Sequence, residues 1–214
     1  MKLRICDLGF AVPYDVGMAR MRHEMQHVDE NGPVLLLLEH KDTITKTRLH
    51  GTRSFRIPEE EIAQRGIEVI ETDRGGDVTF HGRGQLVGYL VKRLDDNDLV
   101  GYVRALENAL IRATRKLGLT NAERLEGKTG VWLPADELRG QRKLIAIGVG
   151  VSKGVTRHGF AFNITTDLER FSDCIIPCGL EGYGVTSLER EMTPTPSWES
   201  VTDVIVQETS TLGF

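Results

Sequence analysis

Three cysteines, Cys6, Cys174 and Cys178, are too few for a disulfide scaffold, so the expectation is a reduced protein with thiols open to chemistry. Long apolar runs are also missing. The longest, Val34–Leu38, is far short of a membrane span. The opening MKLRICDLGFAVPYD has no apolar core of the kind a secretory leader carries. The expected location is therefore cytoplasmic, with no membrane association. Basic excess is lacking too. Lys and Arg number 27 against 31 Asp and Glu, a net charge of −4, which argues against a nucleic-acid partner. No internal repeat or low-complexity block occurs. What is left is an ordinary globular composition, 40% hydrophobic and 27% charged. At 214 residues it can bury a sizeable core, and the expectation is a single domain over 1–214.

Periodicity gives an alternation of strands and helices. LRICDLG reads as a first strand, and PYDVGMARMRHEMQHVDENG as a helix with Pro13 in its first turn and Asn31-Gly32 at its end. PVLLLLEH reads as a buried strand, PEEEIAQRG as a short helix with its acids at the positive end, and IEVIET as a strand. QLVGYLVKRL is a further strand. DLVGYVRALENALIRATRKLG is the clearest helix, with Leu99, Val103, Leu106, Leu110 and Leu117 near helical spacing. TGVWLP, KLIAIGVGVS and HGFAFNI are strand candidates, the last two joined by the turn segment KGVTR. DLERF is a helical turn, IIPCGL a loop and SWESVTDVIVQETSTLG a closing helix. The fold class is α/β (α+β), with a mixed β-sheet flanked by helices. A small lobe starting near residue 165 is conceivable.

Between two of these strands lies RGGDVTFHGRGQ, residues 74–85, with four glycines in twelve positions. Glycine lets backbone approach a ligand closely, and exposed N–H groups in such a loop can cradle an anion or an oxyanion. No Gly-Lys-Ser/Thr closes it, and no helix pattern follows, so neither nucleotide-binding fingerprint applies. A plain glycine-rich turn is the competing reading. Cys178, set between Pro177 and Gly179, suits a nucleophile, although most free cysteines are small buried hydrophobes. Cys174 takes that second reading. A Cys-x-x-x-Cys step matches no common zinc spacing, His23 and His27 stand four apart on the first helix candidate with no role assigned to them, and no metal is expected. Lys143 opens an apolar strand. It is either a solvated strand end or a cation that favours a nearby thiolate. His81 and His158 each precede a glycine, and His158 and Asn163 share the segment RHGFAFNI. His40 and His50 show no pairing that assigns a role.

RGGDVTFHGRGQLVGY, RKLIAIGVGV, RHGFAFNI, DLERFSDCIIPCGL and VTSLERE, in that order, resemble the lipoyl(octanoyl) transferases, from about residue 70 to 190. The resemblance implies the fold of the biotin- and lipoate-protein ligases. It implies transfer of octanoyl from octanoyl-acyl carrier protein to a lysine on lipoyl domains of 2-oxoacid dehydrogenases and the glycine cleavage H protein. No cofactor, ATP or metal is implied. Cys178 matches the acyl-accepting thiol, and Lys143 the lysine that lowers its pKa. Arg74, Gly75, Gly76, Asp77, Val78, Thr79, Phe80 and His81 match a substrate-contacting segment, as do Ala146, Ile147 and Gly148, and His158, Gly159, Phe160 and Ala161. Arg83 stands where the family usually has proline, which leaves the stiffness of that loop open. Arg139, Arg142, Lys153 and Arg157 flank the site strands and are the expected contacts for an acidic carrier protein. Three readings compete: an ATP-dependent lipoate or biotin ligase, a lipoyl amidotransferase, and a catalytically inactive binding module.

Overall fold

The computed structural model describes residues 2–47, 53–94, 98–176 and 182–212. In chain order the elements are β1 (Arg4–Asp7), α1 (Tyr14–Gln26), α2 (Val28–Asn31), β2 (Val34–Leu38), β3 (Thr43–Thr47), α3 (Glu59–Gln64), β4 (Glu68–Thr72), β5 (Thr79–His81) and β6 (Gln85–Val91). There follow α4 (Leu99–Lys116), β7 (Glu123–Leu125), β8 (Lys128–Leu133), β9 (Arg142–Ser152), β10 (Val155–Asn163), α5 (Leu168–Cys174), β11 (Gly184–Val185), α6 (Leu188–Glu191) and α7 (Trp198–Thr209).

Among the described residues the strands form two sheets. The larger runs β1-β2-β6-β10-β9-β8-β7, with β11 added on β9; the smaller runs β4-β3-β5. β1 and β2 are parallel, and the β2–β6–β10–β9–β8–β7 pairs are antiparallel, so the large sheet is mixed as the composition of elements suggested.

The unbroken apolar run Val34–Leu38 makes sense on this sheet. A strand sends successive side chains to opposite faces. Leu35 and Leu37 enter the core with Leu106 and Leu110 of α4, while Val34, Leu36 and Leu38 pack with Tyr14, Met18 and Met21 of α1. Both faces are covered, so polar alternation is unnecessary. The same split sends Leu86 and Leu90 of β6 to the α4 side and Val87 and Tyr89 to the α1 side. α4 starts where the Asp98 side chain accepts from Gly101 N at 2.8 Å, an N-cap bond worth about 1 kcal/mol. Val201 and Ile205 of α7 join the same core as α4, so the closing helix packs into the main core and forms no separate lobe.

β9 and β10 turn on Lys153 and Gly154, both with positive φ (51° and 76°), a two-residue hairpin tighter than the KGVTR segment suggested. β3 and β5 were not expected. β10 ends at Asn163, and beyond it β11 takes over as the neighbour of β9, pairing Gly184 with Arg142 and Val185 with Lys143. The opening in the sheet at that changeover positions the site.

Candidate active site

A cavity of about 360 Å³ lies over the face of β6, β10 and β9 that carries the smallest residues. Its floor is made by cross-strand pairs, Gly159 with Gly148 and Ala161 with Ala146, and by Val87 and Tyr89. Side chains this small leave a channel where a normal sheet face would carry bulk.

The glycine-rich segment forms the opposite wall. Gly75 runs backbone to backbone against β9: a Cβ on Gly75 would sit 2.9 Å from the Val149 carbonyl oxygen, and one on Gly148 2.9 Å from that of Gly75. Gly76 has φ 88°, open to glycine and strained for other residues. The loop is held from below by β3. Arg74 donates to the hydroxyl and carbonyl of Thr45 at 2.9–3.0 Å, and Thr47 donates to Gly76 O at 3.2 Å. Asp77 accepts from Ser54 at 2.5 Å and from Val78 N at 2.7 Å, which makes its carboxylate a brace of the loop. Thr79 and His81 line the cavity, while Phe80 between them points the other way, into a separate cluster with Ile44, Ile62 and Ile67. Of the substrate contacts that the resemblance implied, Phe80 is the one with a described position that does not line the cavity. Arg74, Gly75, Gly76, Asp77, Val78, Ile147, His158 and Phe160 all do.

His81 is anchored by a chain of amides. Gln85 Nε2 donates to Phe80 O at 3.1 Å and to Asn163 Oδ1 at 2.9 Å, and Asn163 Nδ2 donates to Thr186 O at 3.0 Å. The two backbone carbonyls fix both amide orientations. Gln85 Oε1 is then an acceptor, so His81 Nδ1 at 2.8 Å must carry a proton. Burial holds the ring well below the usual histidine range, with the positive charge of other histidines and Arg74 adding to it, and the hydrogen bond to Gln85 opposing. His81 is a neutral Nδ1–H imidazole.

Two more histidines lie nearby, and of these His158 lines the cavity. His40 Nδ1 donates to Val12 O at 2.9 Å, so its Nε2 accepts from the Tyr89 hydroxyl at 2.6 Å; burial lowers its pKa to about 4. His158 has φ 60°, and its Nε2 lies 2.9 Å from Asp73. Burial lowers His158 as well, against the pull of Asp73. His40 reaches the cavity-lining Tyr89 through its Nε2 bond, a neighbour missed in the sequence. Tyr89 was also missed, although alternation from Gln85 through Val87 puts it on the cavity face.

Lys143 lies at the sheet changeover. It is 7% exposed and lines the cavity. Its Nζ sits 4.7 Å from the centroid of Trp132, its cross-strand partner on β8. Thr186 N donates to Lys143 O at 2.9 Å, so the chain from His81 through Gln85 and Asn163 ends on the residue bonded to Lys143. Cys178 lies outside the described residues. So does His50. Cys174 is fully buried with Ile44 and Ile62, and burial pushes its thiol up, which fits a structural cysteine. No cluster of three or more His, Cys, Asp or Glu side chains suited to a metal occurs among the described residues.

The expected basic patch does not form. Arg142 is 5% exposed, and its guanidinium is bonded to Glu191 at 2.6 and 2.8 Å and to Asp136 at 2.7 Å. Arg139 bonds the same Glu191, and Arg157 pairs with Asp73. Lys153 sits at the hairpin turn, the far end of β9 from Lys143. Composition located these charges but not the acids that meet them. No helix among the described residues is long and apolar enough to cross a membrane.

Residues 13–210 match the family described as lipoyl protein ligase A/B catalytic domain. An octanoyltransferase of Koribacter versatilis (strain Ellin345) is 47% identical over 184 residues, covering 84% of this chain and 70% of that protein. An octanoyltransferase of Acidobacterium capsulatum is 42% identical over 209 residues, 92% and 83% of the two chains. Among solved structures, a bi-partite lipoate protein ligase from Thermoplasma acidophilum superposes with a TM-score of 0.78 at 19% identity, covering 99% of this chain and 84% of that one. At that identity the likeness is one of fold.

Proposed function

Since this chain belongs to the lipoyl protein ligase A/B catalytic domain family, we propose that its cavity is the acyl site of an octanoyltransferase that works through Cys178 and Lys143. The reaction is octanoyl transfer in protein lipoylation, the activity named for its curated relatives. Residues 1–214 act as one catalytic domain. Octanoyl-acyl carrier protein is the donor, and the lysine of a lipoyl domain the acceptor.

The observation that carries the reading is the pairing of Lys143 with a channel floored by Gly148, Gly159, Ala146 and Ala161. A narrow apolar channel suits an alkyl chain. A buried cation at its end suits the sulfur chemistry of a thioester. In the first step the Cys178 thiolate attacks the thioester carbonyl. The new C–S bond forms, the carrier's C–S bond breaks, and the Lys143 ammonium gives its proton to the departing thiolate. In the second step the acceptor amine attacks the acyl-Cys178 carbonyl. The neutral Lys143 amine takes the proton that nitrogen loses, and Cys178 leaves as thiolate beside the restored ammonium. His81, neutral with a bare Nε2, is an alternative proton acceptor lining the same cavity.

The adenylating lipoate ligases share the fold, but their chemistry has no use for a thiol at position 178. The deciding test mixes the protein with octanoyl-carrier protein, free octanoate and an acceptor lipoyl domain, with and without ATP. Octanoylated domain in both mixtures supports the transferase. Product only with ATP assigns the protein to the ligases.

A further inference from the structure

We propose that Trp132 and Tyr183 are positioning residues for Lys143, an aromatic bracket that holds its ammonium at the cavity and ties it to β11, the strand that follows Cys178 in the chain. The inference rests on the transferase reading and adds residues to it.

Lys143 Nζ lies 4.7 Å from the Trp132 ring centroid, and Lys128 Nζ lies 4.7 Å from that of Tyr183. Between these two contacts the rings of Trp132 and Tyr183 meet edge to face, 5.6 Å apart at 74°. Four side chains therefore alternate cation, ring, ring, cation. The indole cannot turn out of this stack. It is 2% exposed, and its Nε1–H donates to Lys128 O at 3.1 Å. A glycine clears the path for the lysine stem. Gly130 has φ 132°, and a Cβ there would lie 3.4–3.5 Å from Lys143 Cε and Cδ and 2.6 Å from Ile145 O.

A buried ammonium is costly unless something compensates it. The face of an indole does so through its quadrupole, and it attracts the charged form far more than the neutral amine. That charged form is the one that accompanies a Cys178 thiolate. Glu107 of α4 accepts from Gly130 N at 2.8 Å and pairs with Arg124, and Arg142, next on β9, is bonded to Glu191 and Asp136. Lys128 stands beyond Tyr183, and His81 is neutral. Trp132 thus acts on the cavity through Lys143, its cross-strand partner, without lining the cavity itself.

The test is the pH profile of Cys178 alkylation by iodoacetamide, read at that residue by peptide mass mapping. In Trp132→Leu the rate at neutral pH is expected to fall about tenfold, the equivalent of ~1.4 kcal/mol and within the range of a desolvated cation–π contact. Trp132→Phe should keep most of the rate. In a Lys143→Met background, Trp132→Leu should change nothing further, because it acts through the lysine. Tyr183→Leu should shift the profile the same way by less, and it serves if Trp132→Leu does not fold. Equal effects of Trp132→Leu in both backgrounds, or none in either, would overturn the bracket. If Lys143→Met alone leaves the profile unchanged, the dyad fails instead. The bracket is then judged on Lys143 itself: acetic anhydride should modify it about tenfold faster in Trp132→Leu than in Trp132→Phe, and equal rates would overturn it.

Discussion

Gln85 accepts the Nδ1 proton of His81 at 2.8 Å, leaving Nε2 as a bare lone pair in a ring that lines the cavity. The Gln85 amide has no freedom to do otherwise, because its nitrogen already donates to Phe80 O and Asn163 Oδ1. Nitrogen-15 NMR of the folded protein should therefore show His81 as the Nδ1–H tautomer, still neutral at pH 6, below the ordinary histidine value. In Gln85→Leu the lock is gone and the ring should populate both tautomers. A wild-type His81 protonated on Nε2 would contradict the assigned chain of amides.

The buried histidines give stability a definite pH dependence. Burial holds His40 at about 4 against 6.5 in the unfolded chain, and lowers His81 and His158 in the same direction. Above pH 6.5 both states are neutral and stability is full. As pH falls from 6.5 toward 4 the unfolded state binds protons that the folded state refuses, so stability declines. His40 alone contributes a loss of the order of 3 kcal/mol across that window. Urea unfolding at pH 7 and at pH 5 measures it. The slope should be shallower in His40→Gln, and an unchanged slope there would count against the assignment.

Much of the architecture was legible in the sequence because it rests on apolar period. Val34–Leu38 and Leu99–Leu117 declare a buried strand and an amphipathic helix without reference to anything distant. β3 did not, for a physical reason. In Thr43–Thr47 only Ile44 is a strong hydrophobe, yet Thr45 and Thr47 are buried as hydrogen-bonding struts for the glycine-rich loop. Their partners, Arg74 and Gly76, are some thirty residues on, and no local pattern carries that information. The cavity walls at Gly75 and Gly148 were legible as composition, although the backbone contact between them was not. The arginines at 139, 142 and 157 misled because a charge is visible in a sequence and its partner is not.

Arg142 and Glu191 are both about 5% exposed and meet through two hydrogen bonds, with Thr186 and Arg139 sharing the carboxylate. Breaking a buried pair from one side strands the other charge. Arg142→Met is expected to cost about 3–5 kcal/mol in denaturant unfolding. Arg139→Met, at the exposed rim of the same carboxylate, should cost under about 1 kcal/mol. Comparable losses from the two variants would show that burial does not set the energy here.

Arg83 is exposed at the second position of a turn in which Gln85 N donates to Gly82 O at 3.2 Å and Gly84 has φ 78°. That is the pattern of a type II turn, where proline is favoured at the second position. Arg83→Pro should therefore fold normally and gain a few tenths to about 1 kcal/mol through loss of unfolded-state entropy. Thermal unfolding checks it, and a destabilised variant would mean that the turn needs the Arg83 backbone donor.

The central claim is that octanoyl resides on Cys178 between donor and acceptor. Intact mass after mixing with octanoyl-carrier protein, without ATP and without acceptor, tests it most directly. Wild type and Cys174→Ala should each carry one octanoyl group, mapped to the peptide holding Cys178, and Cys178→Ala should carry none. An adduct that survives Cys178→Ala, or one that disappears with Cys174→Ala, would contradict the account.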